Sequence, residues 1–215
     1  MLLGSISKNG ALLAGFALVC VGLIATTWML TRERIQGSME AALGRTLNEL
    51  VPPDQYNNDV QADCTLAQNE EFLGTGNPVR VYRMRTGNAP VAVILEAVAP
   101  NGYSGSIRLV IGIYADGTLA GVRVSDHKET PGLGDQIETR KSDWILQFEG
   151  LSLEHPEAAR WRVKKDGGAF DAFTGATITP RAVVGRVAKV LEYFGERRTA
   201  LFEAPNTCGA EPHES

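Results

Sequence analysis

Residues 171–180 read Asp-Ala-Phe-Thr-Gly-Ala-Thr-Ile-Thr-Pro and lead directly into an amphipathic segment. Thr179 is a favourable N-cap residue and Pro180 suits the first helical position, so the pattern predicts a helix that begins there. Apolar residues then recur at helical spacing through residues 181–194, which predicts that one face of this helix is buried. These apolar residues are Val183, Val184, Val187, Val190, Leu191 and Phe194.

A helix start of this kind is a favourable binding site for a phosphate. The first N–H groups of a helix have no backbone partner, and the helix dipole adds a partial positive charge. Gly175 and Ala176 are small, so a large ligand could reach the backbone just before the helix. The stretch therefore predicts a site for a phosphate-bearing ligand, and the alternative is a helix cap without a ligand.

A second stretch, residues 127–134, reads His-Lys-Glu-Thr-Pro-Gly-Leu-Gly. Gly132 and the proline before it predict a tight turn whose backbone can approach a planar ligand closely. Glu129 and Thr130 are candidates to hydrogen-bond the edge of such a ring, and Leu133 is a candidate to pack on its face. Taken alone, the stretch has an ordinary loop as its simpler interpretation.

The surrounding chain carries strand and turn signals. The predicted strands are residues 79–86, 91–98, 106–114 and 119–125, with a further one at 161–165; a short helix is predicted at 143–148, and residues 52–77 are predicted to be irregular. The sequence Asn-Gly-Tyr-Ser-Gly-Ser at 101–106 and the pair Asp116-Gly117 are typical of turns between strands. The predicted fold class is therefore α+β, with an antiparallel or mixed sheet and flanking helices.

Near the N-terminus, residues 10–30 carry no charge and are long enough to cross a bilayer as a helix. Their length, and the lack of a small-x-small cleavage site after them, favour an uncleaved span over a signal peptide. The predicted order is a short N-terminal segment, a transmembrane helix, a juxtamembrane helix, a folded domain and a polar tail. The corresponding residues are 1–9, 10–30, 31–53, 54–198 and 199–215.

The charges beside this span favour a cytoplasmic location for the folded domain. Arg32, Arg34 and Arg45 follow the span, whereas Lys8 is the one basic side chain before it. Positive charges concentrate on the cytoplasmic side, but a large domain can be translocated regardless of them. The residues alone leave the orientation open.

Composition excludes several classes of function. The net charge is −4 with no basic run, which argues against a nucleic-acid surface. Cys20, Cys64 and Cys208 are far apart and the three histidines are dispersed, so neither a metal site nor an iron–sulfur cluster is predicted. A disulfide between Cys64 and Cys208 and two unrelated thiols are both open alternatives.

The three glycine-containing stretches occur behind a single span in a specific order: Gly-Tyr-Ser-Gly, Glu-Thr-Pro-Gly-Leu-Gly, then Asp-x-x-Thr-Gly-Ala-Thr. In this order the chain resembles the FMN-binding domain of the G subunit of the bacterial Rnf (Rsx) electron-transport complex. The C subunit of the sodium-pumping NADH:quinone reductase is similar. The resemblance covers nearly the whole chain, and the compact length is closer to the Rnf protein.

The resemblance implies a covalent cofactor. In this family, the last threonine of the Ser/Thr-Gly-Ala-Thr motif carries FMN through a phosphoester, which a flavin transferase installs from FAD with a divalent metal. That residue is Thr177 here. The implied supporting residues are Thr174, Gly175 and Ala176 in the motif, Asp171 as the acid that the transferase favours, and Glu129, Thr130, Gly132 and Leu133 beside the ring. Arg181, Lys164 and Lys165 are candidates to offset the phosphate charge.

The resemblance also implies a role and a location. The chain would be the electron-relay subunit of an inner-membrane complex that couples electron flow between ferredoxin and NAD to ion movement. Its partners would be the other subunits, the flavin transferase and the membrane. The domain would be periplasmic, which favours the disulfide between Cys64 and Cys208.

Other functions stay open at this stage. The chain has no Gly-x-Gly-x-x-Gly fingerprint for a nicotinamide and no cluster ligands, so it is not expected to run the overall reaction alone. No residue is expected to act as an acid, base or nucleophile in the redox cycle, because the tether consumes the Thr177 hydroxyl. The alternatives are a membrane-anchored flavin reductase that acts alone, and an assembly subunit without a flavin.

Overall fold

A computed structural model of the chain describes residues 2–207, except for the side chains of residues 2–8 and 33–42. The chain divides into two compact units, residues 1–45 and 46–215. Cys208 and the rest of the predicted tail after it lie outside the described residues.

Helix α1 runs as one element from Leu2 to Leu50. Most of it belongs to the first unit, and its residues from 46 onward belong to the second. Its segment Asn9–Arg32 has a mean hydropathy of 2.1 over a length that can cross a membrane, and none of that apolar window is buried in the protein. Thr26 and Thr27 donate their hydroxyls to carbonyls one turn earlier, at 2.7 and 2.8 Å, so these polar groups are satisfied within the helix. The predicted span and the predicted juxtamembrane helix are therefore parts of one continuous helix.

The second unit is built on a five-stranded antiparallel sheet, which decides between the two predicted sheet types. The strands lie side by side in chain order: β1 (Cys64–Ala67), β2 (Val79–Thr86), β3 (Ala89–Ala99), β4 (Ile107–Tyr114) and β5 (Leu119–Asp126). A short helix α2 (Glu70–Leu73) lies between β1 and β2. After β5 come 3-10 turns at Gly134–Ile137, Asp143–Phe148, Ala158–Arg160 and Lys164–Asp166, and then helix α3 (Ile178–Glu203).

Helix α3 contacts strands β3 and β4, and its buried residues belong to the main hydrophobic core. On β3, Val93 and Leu95 belong to that core, whereas the alternate residues Ala92 and Ile94 point to the opposite face and are fully buried as well. Because both faces of β3 are covered, its sequence is a nearly continuous apolar run.

The second face of the sheet receives the last residues of α1. Gly112 on β4 pairs with Gly121 on β5. A Cβ atom at Gly112 would lie 3.3 Å from Leu50 Cβ, and one at Gly121 would lie 2.9 Å from Leu50 Cδ2. The two glycines thus leave a slot in the sheet that the Leu50 side chain fills.

Several sequence-based expectations need correction. The predicted strand at 161–165 is absent: Trp161 and Val163 are buried, but they pack in a loop with only a single bridge, from Val163 to Phe170. Strand β1 and helix α2 lie within the stretch predicted to be irregular. Helix α3 continues to Glu203, beyond the predicted start of the tail, because Leu201 and Phe202 are buried.

Candidate functional site

The turn before α3 is held in place by aromatic packing. The Phe173 ring is buried and packs edge-on against Trp144, with the ring centroids 5.1 Å apart. The indole N–H of Trp144 donates to the backbone carbonyl of Asp171 at 2.8 Å. Gly175 has a φ of 82°, a left-handed conformation that glycine adopts without strain. The turn therefore has a fixed base and presents Thr174 and Gly175 to solvent.

Helix α3 begins two residues earlier than the sequence suggests. Thr177, not Thr179, is the N-cap, and its side chain makes no capping hydrogen bond. Thr179 is the second helical residue and is fully buried, and Pro180 is the third. A proline is tolerated there because the first N–H groups of a helix have no backbone partner. The predicted cap at Thr179 and the first-position role of Pro180 are thus wrong, and the Thr177 hydroxyl is not used as a cap.

A cavity of about 250 Å³ lies beside this helix start. Of the predicted site residues, it brings together Glu129, Thr130, Leu133, Gly175, Ala176 and Thr177. Asp171, Thr174 and Gly132 do not line it. Four further residues line the cavity that the sequence-based site did not include: Tyr103, Gly134, Ile178 and Thr179.

The rim of the cavity is apolar and open. Tyr103 is 67% exposed, and Leu133 and Ile178 are each 43% exposed. Within the described part of the second unit, these three are the large hydrophobic residues that stay exposed. Exposed apolar groups gathered around one cavity indicate a binding site. The tyrosine of the Gly-Tyr-Ser-Gly turn was the available signal for this rim.

Glu129 forms the buried floor of the site, with 5% exposure. Its carboxylate accepts the backbone N–H of Ser104 at 3.0 Å and the Thr179 hydroxyl at 2.5 Å. These bonds compensate the cost of burying the carboxylate. Sequence spacing gave no sign of the Thr179 contact, because the two residues are 50 positions apart.

A second group of polar side chains stands behind Glu129. Nδ1 of His127 accepts the Glu129 backbone N–H at 3.0 Å, so that nitrogen carries no proton in this geometry. The other ring nitrogen faces a Glu138 carboxylate oxygen at 2.8 Å. Arg140 bonds to the same carboxylate and, together with His127, lowers the pKa of Glu138 to about 2.

Two of the three cations proposed for a phosphate, Arg181 and Lys164, are engaged with acids. Arg181 makes two bonds to Asp166, at 2.6 and 2.8 Å, and this contact lowers the pKa of Asp166. Lys164 pairs with Asp171 at 2.8 Å on the surface. Arg181 and Ile178 also line a second cavity of about 340 Å³. The helix start adds positive potential toward Thr177 that does not depend on these two paired cations.

The cysteines and histidines form no metal site within the described residues. Cys64 is buried at the start of β1 and is a disulfide cysteine, whereas Cys20 is free. The carbonyl of Cys64 accepts the Thr207 N–H at 2.8 Å, so the chain passes beside Cys64 just before position 208. Cys208, the predicted partner, is outside the described residues, and the pairing stays a prediction.

Comparison with known proteins identifies two family segments. The FMN-binding domain family matches residues 102–192, which include every residue that lines the 250 Å³ cavity. The family described as the RnfG N-terminal region matches residues 1–50.

Full-length relatives are also similar to this chain. A protein of Pseudoalteromonas atlantica, named as the G subunit of an ion-translocating oxidoreductase complex, is 49% identical over 96% of this chain and 96% of its own length. The proteins of the same name from Vibrio atlanticus and Shewanella loihica are each 46% identical, over 98% and 95% of this chain and over 100% and 96% of their own lengths.

Proposed function

The chain belongs to the family of G subunits of ion-translocating oxidoreductase complexes, and from this membership we propose that it is an electron-relay flavoprotein subunit with FMN bound covalently to Thr177. In such a complex it would relay electrons along a pathway that couples electron transfer between ferredoxin and NAD to ion translocation. One observation carries the proposal: the Thr177 hydroxyl stands at a helix start, uncapped, on the wall of a cavity with an apolar rim.

The residues present fit an FMN group. The start of α3 suits the phosphate, and the exposed faces of Tyr103, Leu133 and Ile178 suit a planar ring. The cavity of about 250 Å³ is smaller than the usual range for ligand sites, so part of the cofactor would stay open to a redox partner. FMN supplies the redox chemistry when bound, and the protein supplies position and environment.

Attachment requires one bond to form and one to break. The Thr177 oxygen bonds to the phosphorus of the FMN half of FAD, the bond from that phosphorus to AMP breaks, and AMP leaves while the hydroxyl proton is lost. A flavin transferase with a divalent metal is the proposed catalyst. Asp171 and Thr174 lie on the exposed part of the turn, where an enzyme can reach them. We assign them to recognition by the transferase.

Within the cofactor site, Leu133 is placed to pack on the ring and Thr130 to hydrogen-bond its edge. Gly132 has a φ of 78°, so it permits the tight turn that presents these two side chains. Gly175 and Ala176 line the cavity beside Thr177, and their small size leaves room there for a ligand. Glu129 belongs to the site as part of the cavity floor.

For the location, we propose a single span in the bacterial inner membrane with the second unit in the periplasm. A covalent tether retains the cofactor where free FMN is scarce, and an oxidising compartment permits a disulfide between Cys64 and Cys208. Thiol labelling of the denatured, unreduced protein should leave both cysteines unlabelled. Free thiols at these positions would refute the pairing.

The test of attachment uses the full chain expressed with its flavin transferase and run on a denaturing gel. The wild-type band should fluoresce, and its Thr177 peptide should carry FMN minus water. Thr177→Ala should be dark, whereas Thr130→Ala, which alters the same cavity but not the tether, should still fluoresce. A dark wild-type band with an active transferase would support the assembly-subunit alternative. Copurification of the other members of the complex would separate the relay role from a reductase that acts alone.

A further inference from the structure

Glu129 joins three separate segments of the chain. It lies in the loop after β5, its Oε1 atom accepts the N–H of Ser104 before β4, and its Oε2 atom accepts the hydroxyl of Thr179 in α3. The first partner is 25 positions away in sequence and the second is 50. A single carboxylate therefore connects three of the walls that enclose the cavity.

The space around this carboxylate is closely fitted. A Cβ atom at Gly102 would lie 2.8 Å from Oε1, and a Cβ atom at Gly134 would lie 2.6 Å from Oε2 and 2.9 Å from the Thr179 hydroxyl. Real Cβ atoms do not approach polar atoms so closely without displacement of one of them. Gly134 thus makes room for Glu129 and for its bond to Thr179, whereas Gly102 makes room for the same carboxylate and for the Gly105 carbonyl, which its Cβ atom would also meet.

The main chain of Glu129 is fixed as well. Its N–H donates to His127 at 3.0 Å, and His127 in turn contacts Glu138 at 2.8 Å. A side chain held at both ends in a buried slot cannot turn toward a ligand without leaving the Ser104 and Thr179 groups unpaired. Breaking such bonds to a buried charged group is costly.

We propose that Glu129 is a positioning residue, which acts through the Thr179 hydroxyl to hold the start of α3, and with it Thr177, against the cavity. Thr179 follows Thr177 by two residues in the same helix start, so fixing one side chain orients the other. In this role Glu129 acts through Thr179 and needs no contact with the ring. The inference rests on the proposed attachment of FMN to Thr177.

The experiment is a double-mutant cycle on the full chain, expressed with its flavin transferase. The variants are Glu129→Ala, Thr179→Val and their combination. The measurements are the rate of covalent flavin attachment and the visible circular dichroism of the attached flavin, which reports the ring's surroundings. Glu149→Ala, a half-exposed carboxylate away from the cavity, is the matched control and should behave as the wild type.

We expect Thr179→Val to attach flavin at a rate lower by about tenfold, the equivalent of one lost hydrogen bond to a charged group, and Glu129→Ala, which also loses the bond from Ser104, to be slower still. The double variant should be no slower than the slower single variant. Two conservative changes guard against a simple failure to fold. Thr179→Ser keeps the hydroxyl, and Glu129→Gln can still pair with both partners, so both should attach flavin at nearly the wild-type rate.

Two results would overturn the inference while leaving the proposed function intact. One is fully additive effects in the double variant. The other is a change in the flavin's circular dichroism on Glu129→Ala that persists undiminished in the Thr179→Val background, since it would indicate direct contact with the ring. Absence of covalent flavin on the wild-type chain would instead overturn the proposed function, and the inference with it.

Discussion

The first turn of α3 is held by a carboxylate, and its last turn is held by two arginines. At the first turn, Glu129 binds the Thr179 hydroxyl at 2.5 Å. At the last turn, Arg83 donates to the carbonyl of Ala204 at 2.5 Å and Arg85 donates to the carbonyl of Phe202 at 2.5 Å. At both ends the hydrogen bonds come from charged side chains that lie in other parts of the chain.

At the C-terminal end of α3, arginine side chains satisfy helix carbonyls. The last carbonyls of a helix have no intrahelical partner and carry partial negative charge, which arginines can satisfy. Asp63 pairs with Arg83 at 2.7 Å and with Arg85 at 2.9 Å, so one carboxylate offsets part of the charge of the two cations and the helix carbonyls face the rest. Arg83 is only 3% exposed, and the two arginines donate to the carbonyls of Leu201, Phe202 and Ala204 at this end of the helix.

The carboxylate end is built differently, because it leaves groups available. The Thr177 hydroxyl makes no capping bond, and Tyr103, Leu133 and Ile178 keep apolar surface exposed beside it. The Glu129–Thr179 contact beneath them is buried. The comparison shows that the helix is stabilised at its C-terminal end and presents ligand-binding groups at its N-terminal end. The following changes test this division, from the largest expected effect to the smallest.

Asp63→Ala should have the largest effect on stability. The change leaves Arg83 buried without its charge partner, which typically costs about 3–5 kcal/mol. Denaturant titration of the full chain in detergent would measure the loss in the free energy of unfolding. Flavin attachment per folded molecule should persist, because the site is at the other end of α3. Asp54→Ala, at an exposed carboxylate before β1, is the control and should change little. Equal losses in the two variants would contradict the stabilising role of Asp63.

Gly134→Ala should affect the other end of the helix. The new Cβ atom would meet Glu129 Oε2 at 2.6 Å, and overpacking of this kind costs about 1–3 kcal/mol. Flavin attachment should fall together with stability, unlike in Asp63→Ala. Both can be measured on the same preparation, by denaturant titration and by in-gel fluorescence.

The matched control for that change is Gly185→Ala in α3. A Cβ atom there would meet nothing within 4 Å, and alanine favours a helix over glycine by about 0.5–1 kcal/mol. Gly185→Ala should therefore raise stability slightly and leave flavin attachment unchanged. If Gly134→Ala behaved like Gly185→Ala, the close fit around Glu129 would not matter for the site.

Much of the sheet was predictable from the sequence, because local patterns determine it. Strands β2 to β5 follow alternating or continuous apolar runs, and each was placed to within about two residues of its observed ends. Strand β1 has only four residues at the sheet edge, too short for a pattern. The apolar residues at 161–165 suggested a strand, but their burial comes from aromatic packing of Trp161 with Phe148 and Phe170.

The sequence also indicated the Thr-Gly-Ala-Thr turn as a candidate site, but it did not indicate the arrangement around that turn. Thr177 and Thr179 are both good capping residues, and nothing local shows which hydroxyl turns inward. The choice depends on Glu129, which is 50 positions from Thr179. The involvement of Tyr103 likewise depends on how the loop before β4 folds toward α3. Contacts between distant segments determine these features, and single-sequence patterns do not report them.

Glu138→Gln should give the smallest effect, and one that depends on pH. Arg140 and His127 lower the pKa of Glu138 from 4.5 to about 2, so the folded state binds this proton less readily than the unfolded state does. Such a group stabilises the folded protein above about pH 4.5, and the contribution is lost as the pH falls toward 2. The wild type should therefore unfold at a higher temperature than Glu138→Gln at pH 7, and the gap should close in acid.

The effect should be small because Arg140 is 76% exposed, and solvent weakens its attraction to Glu138. Arg140→Gln is the companion variant: it keeps the carboxylate and should lose part of the same pH-dependent gap. Thermal unfolding at pH 7, 4.5 and 3 would measure this, and a gap that stayed constant or widened in acid would contradict the assignment.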